Sequence, residues 1–460
     1  MGTPLLRSDP SAVPQAGERD AGSLREFHDN AMAVAVIGGG WAGLAAAVTL
    51  AAQGIPVTLF ESAAQLGGRA RRVEINGLAL DNGQHILIGA YRETLRLLAT
   101  VGVDVRAACY APPLTLQVAP AFYLSAAPLP APWHLGIGLL KSRGIPLRDK
   151  LSAISFLAAL KRGDFRIAPD FSVSALLAQR RQSPALNDYL WHPLCLAALN
   201  TPPHLASAQV FVNVLRDAFF GTRDDSRLLL PRVDLGQLLP DPAAHFIAAH
   251  GGEIRLNQRI QRVALATGGF ALHGDHGTER FTQVVCAVPP FRVADLLGQL
   301  PSLQPVLEQI SALQYQPIYT VYLQYAASMR LPFPMLGLSN TLSQWVFDRG
   351  ALSGQAGLMA VVISAEGAHE ALPHAALAEK AARELHEQLG FPAQANWTQV
   401  IAEKRATFAC LPSIARPDNV TPVAGLFLAG DYTACDYPAT LESAVRSGIQ
   451  CALSIQEALQ

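Results

Sequence analysis

The sequence is poor in charged residues and in cysteine for its length. Asp, Glu, Lys and Arg together make up 15% of the 460 residues, the formal net charge is −1, and no basic cluster occurs. A nucleic-acid partner is therefore not expected. The six cysteines are scattered without a Cys-x-x-Cys pair, which argues against a disulfide framework and a zinc site, so no metal is predicted. Reduced thiols of this kind indicate a cytoplasmic protein.

Signals for secretion and for a membrane-spanning helix are also missing. Residues 1–30 contain no apolar h-region and predict a disordered extension. Residues 121–140 contain no Asp, Glu, Lys or Arg, but three prolines break any helix long enough to span a bilayer. Two interpretations stay open for this segment: a membrane-surface element, or a buried loop and helix with a solvated basic edge. The residues concerned are apolar ones followed by basic ones: Trp133, Leu135, Ile137, Leu139, Leu140, Lys141, Arg143, Arg148 and Lys150.

The clearest motif lies between Val34 and Glu61. A short β-branched run leads into Gly38-x-Gly40-x-x-Gly43, an Ala- and Leu-rich segment follows, and a second apolar run ends at Glu61. This order predicts a dinucleotide-binding βαβ unit, in which the glycines let backbone approach a pyrophosphate at the helix N-terminus. Glu61 is placed to accept hydrogen bonds from an adenosine ribose, and its charge disfavours the 2′-phosphate of an NADP-type ligand.

The rest of the chain alternates between two compositions. The dinucleotide pattern returns as a helix over 234–250 with alternating strands after it, and again as a buried strand ending in Gly430-Asp431 before a helix over 438–458. Residues 86–98 have helical spacing. The segments between these are Pro-rich or mixed, and none contains a glycine fingerprint. The predicted organisation is a disordered extension (1–30), a dinucleotide-binding domain (31–99, 226–292 and 400–460) and a substrate-binding domain (100–225 and 293–399).

Further motifs carry a resemblance to a known superfamily. Gly67-Gly68-Arg69, the CAVPP segment at 286–290 and Gly430-Asp431 make the chain similar to flavin amine oxidases and carotenoid desaturases over residues 33–458. The chain more closely resembles the bacterial hydroxysqualene dehydroxylase family. Four segments carry this likeness: DNGQHILIGAY at 81–91, WHPLCLAALN at 191–200, EKRATF at 403–408 and DYPATLESA at 436–444.

The resemblance implies an α/β fold and bound FAD. The fold would be a GR2-type Rossmann-like FAD-binding domain, a βαβ unit with a three-stranded hairpin, interleaved with an α+β substrate domain. Alternatives stay open for single residues: Asp431 as a turn cap, Arg69 as a surface arginine, and His85 as a structural histidine. The implied contacts are Gly38, Gly40 and Gly43 with pyrophosphate, Glu61 with the adenosine ribose, Gly68 and Arg69 with phosphate and ribityl groups, Val263 with adenine, Gly430 and Asp431 with the ribityl chain, Leu441 with the flavin edge, and Gln84 and His85 near the ring.

The implied activity is reductive removal of the hydroxyl group of hydroxysqualene, giving squalene in squalene and hopanoid biosynthesis. An allylic hydroxyl needs a proton donor to leave as water, and the candidates are His85, then Tyr437, Asp436 and His192. An isoprenoid lipid as substrate calls for an apolar tunnel, expected from residues 110–225 and 310–350, and suits peripheral contact with the inner face of a membrane. No second glycine fingerprint is present, so the sequence does not specify the electron donor.

Two other functions stay open at this stage. The flavin chemistry of a carotenoid-type desaturase or of an amine oxidase fits the same cofactor site, and Tyr432 and Tyr437 would be the aromatic pair of an amine oxidase. A non-catalytic isoprenoid carrier would share the architecture without using the flavin.

Overall fold

The computed structural model describes residues 33–458, so the extension predicted over 1–30 lies outside the described residues. The strands are β1 (Val34–Ile37), β2 (Val57–Phe60), β3 (Arg72–Ile75), β4 (Leu78–Asp81), β5 (Leu87–Ile88), β6 (Cys109–Tyr110), β7 (Thr115–Ala119), β8 (Phe122–Ser125), β9 (Leu228–Pro231), β10 (Glu253–Arg255), β11 (Ile260–Ala266), β12 (Gly269–Gly274), β13 (Gly277–Phe281), β14 (Gln283–Cys286), β15 (Tyr315–Gln324), β16 (Met335–Leu338), β17 (Trp345–Asp348), β18 (Leu358–Ser364), β19 (Trp397–Phe408) and β20 (Leu426–Leu428).

The α-helices are α1 (Trp41–Ala52), α2 (Arg92–Thr100), α3 (Val105–Ala108), α4 (Trp133–Lys141), α5 (Leu147–Arg162), α6 (Val173–Gln179), α7 (Pro184–Leu186), α8 (His192–Leu199), α9 (Ala208–Phe219), α10 (Leu235–Leu238), α11 (Pro240–Ala249), α12 (Pro290–Leu297), α13 (Gln304–Ser311), α14 (Arg349–Ser353), α15 (His374–Leu389) and α16 (Leu441–Glu457).

A five-stranded parallel sheet forms the centre of the dinucleotide-binding part, in the order β10-β2-β1-β14-β20. The β-branched residues of β1 are fully buried, as expected for a parallel strand covered on both faces. The Ala-rich helix α1 packs against α16, where a Cβ atom at Gly448 would lie 2.0 Å from the carbonyl oxygen of Ala42. The glycine therefore allows the two helices to approach closely over the sheet.

Of the four further sheets in the described residues, two complete the frame and confirm the predicted fold class. β11, β12 and β13 form the three-stranded antiparallel hairpin sheet. A seven-stranded sheet has the order β19-β15-β18-β17-β16-β7-β8. Successive side chains of its strands point to opposite faces. Val321 and Val361 pack with α15 in one apolar cluster, whereas Trp345 and Val362 belong to the cluster on the other face.

Three predicted helices differ from the observed ones. The helix predicted over 234–250 is interrupted at Leu239, because the residue before a proline disfavours α geometry and Pro240 starts a new helix. Within 86–98, β5 pairs with β9 before α2 begins at Arg92. The last helix begins at Leu441 rather than at 438, since the Thr440 side chain caps its N-terminus by accepting from the Ser443 N–H.

The central sheet takes strands from all three segments assigned to the dinucleotide-binding domain: β1 and β2, then β10 and β14, then β20. The boundary predicted at 399/400 falls inside β19, which pairs with β15 from Trp397 to Phe408. We therefore propose that the chain returns to the dinucleotide-binding domain only after Phe408, while the other boundaries stay predictions. Within the described residues, no helix is both long and apolar enough to cross a bilayer.

Candidate FAD and substrate site

One cavity of about 1050 Å³ runs between the central sheet and the seven-stranded sheet. On one side it is lined by backbone at four glycines, here called the glycine wall: Gly38, Gly40, Gly67 and Gly68. On the other side it is lined by side chains of β15, β17 and β18, here called the apolar wall: Ile318, Trp345, Phe347 and Val362. The cavity therefore joins the predicted cofactor site to a surface suited to an apolar ligand.

The glycine wall is shaped by close backbone approaches. Gly38 has φ of +112°, and a Cβ atom there would lie 2.6 Å from the Ala287 carbonyl oxygen. Gly68 has φ of +59°, and a Cβ atom would lie 3.1 Å from the Cα atom of Gly40. The first residues of α1, Trp41 and Ala42, also line the cavity. Side chains at Gly38, Gly67 and Gly68 would meet neighbouring backbone, so glycine is needed there to shape the cradle at the helix N-terminus, where a pyrophosphate binds in such folds.

Glu61 follows β2 and reaches the same cradle. Its Oε2 accepts a hydrogen bond of 2.7 Å from the Gly39 N–H, and its Oε1 accepts one of 2.8 Å from the Ala63 N–H. The carboxylate is thereby held against the glycine turn while Glu61 lines the cavity. This position fits a carboxylate that accepts from ribose hydroxyls.

Arg69 and Asp431 line the cavity and form an ion pair across 362 residues of sequence. Arg69 Nη2 lies 2.6 Å from Asp431 Oδ1, and Arg69 Nη1 donates to the Ala406 carbonyl oxygen at 2.6 Å. Asp431 is 6% exposed, and the Arg69 side chain is one-third exposed. The pair excludes Arg69 as an unattached surface arginine. The contacts of both residues with phosphate and ribityl groups stay predictions.

The N-terminus of α16 closes this end of the cavity. Gly430 and Leu441 line it, and α16 is 17 residues long, so its N-terminal N–H groups and partial positive charge lie at the site. Glu442, the second residue of the helix, is turned away: its carboxylate accepts from the backbone N–H groups of Glu93 and Thr94 at the start of α2. The buried carboxylate of Glu442 therefore ties the start of α16 to the start of α2 and fixes the orientation of α16.

Gln84 and His85 line the cavity between its two ends. His85 Nδ1 lies 2.7 Å from the Gly83 carbonyl oxygen, which can only accept, so Nδ1 carries the hydrogen. Burial lowers the pKa of His85 below its usual value, although the bond to Gly83 and the charge of Asp81 act in the opposite direction. The ring is therefore neutral near pH 7, with its Nε2 lone pair available.

Behind Gln84 lies a buried ion pair that was not predicted from the sequence. Arg349 Nη1 is 3.1 Å from Asp81 Oδ2, and the two side chains are 1% and 2% exposed. Asp81 Oδ1 also accepts from the Leu235 N–H, and the Tyr322 hydroxyl donates to the Asp81 carbonyl oxygen. The pair joins residues 268 positions apart, and no local pattern in the sequence connects them.

Five of the predicted residues do not line the cavity, among them His192, which is therefore not carried forward as a proton donor. Gly43 lies behind the glycine wall, where a Cβ atom would meet the Gly38 carbonyl oxygen at 1.9 Å. Val263 is fully buried in β11, and the cavity is reached instead by residues 258–261 before and within that strand. Tyr437 donates its hydroxyl hydrogen to Asp217 at 2.8 Å, and Asp436 is exposed. Tyr437 and Asp436 are therefore not carried forward as proton donors.

Other cavity residues were absent from the sequence-based set. Asn200 lines the cavity in a left-handed conformation after α8 and is held by its side-chain amide, which donates to Thr407 Oγ1 at 2.9 Å. Val362 comes from β18, outside the ranges expected to supply a tunnel, whereas Ile318 and Trp345 come from within them. Trp191, the first residue of the 191–200 segment, is 1% exposed and donates to Gln182.

Known proteins of similar sequence support a flavin site in this cavity. The family described as "Flavin containing amine oxidoreductase" matches residues 41–455. A hydroxysqualene dehydroxylase of Rhodopseudomonas palustris is 30% identical over 437 residues, which cover 91% of this chain and 97% of the relative. The chloroplastic 15-cis-phytoene desaturase of Narcissus pseudonarcissus is 24% identical over 93% of this chain and 80% of the relative.

A solved structure shows the same fold at low sequence identity. Cyclohexylamine oxidase from Brevibacterium oxydans superimposes with a TM-score of 0.68 at 18% identity, covering 94% of this chain and 100% of that one. The glycine cradle, Glu61 and the N-terminus of α16 fit FAD, as the family match requires. The chain therefore belongs to the flavin containing amine oxidoreductase family, is grouped by its relatives with the hydroxysqualene dehydroxylases, and is an FAD-dependent oxidoreductase.

Proposed function

We propose that this enzyme reduces hydroxysqualene to squalene, as part of squalene and hopanoid biosynthesis. The observation that carries the proposal is that the glycine wall, the apolar wall, Gln84 and His85 all line one and the same cavity. The printed name of the Rhodopseudomonas palustris relative supports the choice of substrate. An isoprenoid chain would lie along the apolar wall, where burial of hydrocarbon provides most of the binding energy.

The reaction breaks one C–O bond and forms one C–H bond. Reduced FAD, when bound, supplies a hydride to the carbon that carried the hydroxyl group. The hydroxyl oxygen keeps the bonding electrons and needs one proton to leave as water. The chain's task is therefore to hold the hydroxyl group beside the cofactor, to deliver that proton, and to exclude water from the carbon.

We assign the proton donation to His85. Its Nδ1–H is committed to the Gly83 carbonyl oxygen, so Nε2 is the atom that exchanges a proton with the cavity. Because burial lowers the pKa of His85, its protonated form is scarce near neutral pH but is a stronger acid than an ordinary imidazolium. We expect turnover to rise as pH falls through the pKa of His85.

The cofactor contacts predicted from the resemblance are retained as proposals. The backbone of the glycine wall would hold the pyrophosphate, and Glu61 the adenosine ribose. Arg69 and Asp431 would reach the phosphate and ribityl groups, and the N-terminus of α16 near Leu441 would stabilise negative charge on the flavin. For adenine we propose the backbone of residues 258–263, because residues 258–261 line the cavity next to Val263.

The test uses the purified flavoprotein under anaerobic conditions. Photoreduced enzyme mixed with hydroxysqualene is expected to regain the oxidised flavin spectrum and to release squalene in equal amount. The variant His85→Gln keeps a polar side chain but has no ionisable group to act as a proton donor, so it should bind FAD but reoxidise about 10²-fold more slowly. Failure of the wild-type protein to form squalene would remove the proposal.

Desaturation is the second candidate, favoured by the Narcissus pseudonarcissus relative. It would run in the oxidative direction, so oxidised enzyme with an electron acceptor and 15-cis-phytoene should then form a desaturated product.

An amine oxidase is not favoured, because Tyr432 lines the cavity but Tyr437 does not, so the two tyrosines form no facing pair there. An isoprenoid carrier predicts binding of hydroxysqualene without any change in the reduced flavin spectrum.

We also propose that residues 129–151 attach the enzyme to the inner face of a membrane. Leu135 and Leu139, considered part of the apolar surface from the sequence, are buried instead. The exposed apolar side chains are Leu129, Trp133, Leu140, Leu147 and Leu151, with Trp133 and Leu147 67% and 62% exposed. Exposed Lys141, Arg143 and Arg148 lie in the same segment, whereas Lys150 is committed to backbone carbonyl groups. Apolar side chains bordered by positive charge suit an anionic lipid surface.

Vesicle sedimentation tests this attachment. Wild-type protein should sediment with phosphatidylglycerol vesicles more than with phosphatidylcholine vesicles, and added salt should release it. Trp133→Ser with Leu147→Ser should lose most of the binding. Leu265→Ser, which removes an equally exposed leucine from β11, is the control and should bind normally. Equal binding of both variants would contradict the proposal.

A further inference from the structure

Arg349 is buried at the start of α14, and its guanidinium contacts three side chains, two from residues 81–84 and one from just after α14. Nη1 donates to Asp81 Oδ2 at 3.1 Å and to Gln84 Oε1 at 3.4 Å, and Nε donates to Gln355 Oε1 at 2.9 Å. Among the ion pairs of residues 33–458, the one between Arg349 and Asp81 is the only one with both side chains less than 3% exposed. An ion pair buried so deeply is rarely a source of stability by itself, so its role is expected to lie in the side chains that it holds in position.

The contact with Arg349 fixes which way the Gln84 amide points. An arginine has only donors, so the Gln84 atom facing it must be the amide oxygen Oε1. The amide nitrogen Nε2 is then the free end of a side chain that lines the cavity, with one long contact of 3.5 Å to the His85 carbonyl oxygen. Without Arg349, the two ends of the amide would be interchangeable in this position.

The loop that carries Gln84 is held at its start as firmly as the amide itself. Asp81 is anchored by Arg349, by the Leu235 N–H and by Tyr322. The next five residues, 82–86, all line the cavity. The buried ion pair thus sits directly behind the part of the wall where the hydroxyl group of the proposed substrate would bind.

We propose that Arg349 is a positioning residue that orients Gln84 as a hydrogen-bond donor to the hydroxyl oxygen of the substrate. A hydroxyl oxygen has two lone pairs, and the Gln84 N–H takes one while His85 Nε2 delivers its proton to the other. As the C–O bond breaks, the oxygen gains negative charge, so a fixed donor stabilises the transition state more than the bound substrate. This inference rests on the proposed reductive dehydroxylation.

Gln84→Glu tests the donor. The carboxylate keeps the size of the side chain and the contact with Arg349, but it presents no N–H to the cavity. We expect kcat for squalene formation to fall about 10²-fold with a smaller change in KM, because the lost bond acts mainly in the transition state. The flavin spectrum and the thermal unfolding temperature should stay close to those of the wild type.

Arg349→Lys tests the positioning. Lysine keeps the charge beside Asp81, but its compact ammonium group cannot span Asp81 and Gln84 as the planar guanidinium does. We expect kcat to fall roughly 10-fold to 10²-fold while FAD content is retained. Arg216→Lys is the matched control, since it alters an ion pair with Asp217 outside the cavity, and its kcat should not change.

The double variant decides between positioning and an independent role. If Arg349 acts through Gln84, adding Arg349→Lys to Gln84→Glu should lower kcat no further. Multiplied losses of kcat in the double variant would overturn the inference, as would full activity of either single variant.

If Arg349→Lys does not retain FAD, Asp81→Asn replaces it in the same cycle, because it removes the charge that anchors Arg349 and keeps an acceptor for the Leu235 N–H. Wild-type enzyme that forms no squalene would remove the proposed function and this inference together, whereas an active wild type with multiplied losses would remove the inference alone.

Discussion

The two sides of the cavity are built by different means. The glycine wall consists of backbone in the loops that follow the parallel strands β1 and β2, and three of its four glycines have φ between +59° and +112°. The apolar wall consists of side chains from β15, β17 and β18, all on one face of an antiparallel region of the seven-stranded sheet. A backbone wall depends on the absence of side chains, and a side-chain wall depends on their shape. The glycine wall should therefore lose its function completely when even a small side chain is added, whereas the apolar wall should change gradually as its side chains are altered.

The largest effect is expected directly behind the glycine wall. In Gly43→Val, the new Cβ would lie 1.9 Å from the Gly38 carbonyl oxygen, so α1 would have to move away from β1. We expect a loss of about 3 kcal/mol or more in the free energy of unfolding and loss of bound FAD, measured by urea denaturation and by the visible spectrum. Gly136→Ala is the control, because nothing lies within 4 Å of a Cβ there. A yellow, stable Gly43→Val protein would contradict the account of the glycine wall.

The next largest effect is expected behind Gln84, at the buried ion pair. Arg349→Met leaves Asp81 charged and buried without its partner, which should cost about 3–5 kcal/mol of unfolding free energy. The double variant Arg349→Met with Asp81→Asn removes both charges and should recover most of that loss. Urea denaturation of the two variants and the wild type makes the comparison. A cost below about 1 kcal/mol for the single variant, the range of exposed ion pairs, would show that the pair is not effectively buried.

A smaller effect is expected for the pH dependence of stability at His85. Burial lowers the pKa of His85 in the folded protein, so below about pH 6.5 the unfolded chain binds the proton first. The stabilisation by neutral His85 is therefore present above that pH and is lost as pH falls towards the folded-state pKa, by at most about 1.4 kcal/mol per pH unit. His85→Gln should lack this slope. His245→Gln, at an exposed histidine of α11, should keep it, and equal slopes in His85→Gln and wild type would refute the assignment.

The smallest effect is expected outside both walls. Burial and the bond to Asp217 raise the pKa of Tyr437 to about 12. Tyr437→Phe removes that hydrogen bond, and Asp217 keeps Arg216 as a partner, so the free energy of unfolding should fall by about 0.5–1.5 kcal/mol. Squalene formation should stay within about twofold of the wild type, as for an interaction not made in the transition state. A loss as large as that of His85→Gln would return Tyr437 to the list of proton donors.

The same contrast explains what the sequence could predict. Gly38, Gly40 and Glu61 lie within one short segment and have a local reason for their residue type, so the fold class and the cofactor followed from the motif and the family resemblance. The ion pair between Asp81 and Arg349 joins distant segments, and neither residue has a local signal beyond its type. Tyr437 was chosen for its chemistry and its place in a motif, but its hydroxyl points to Asp217 because of the packing of α9, which no local pattern encodes.

Isotope transfer in a single turnover tests the central claim most directly. Enzyme equilibrated in deuterium oxide and photoreduced there carries exchangeable deuterium on its reduced flavin. If FAD and the isoprenoid share the cavity between the glycine wall and the apolar wall, hydroxysqualene should be converted to squalene with one deuterium on the carbon that bore the hydroxyl group, one squalene per flavin. Squalene without that deuterium, or reoxidation of the flavin without squalene, would contradict the account.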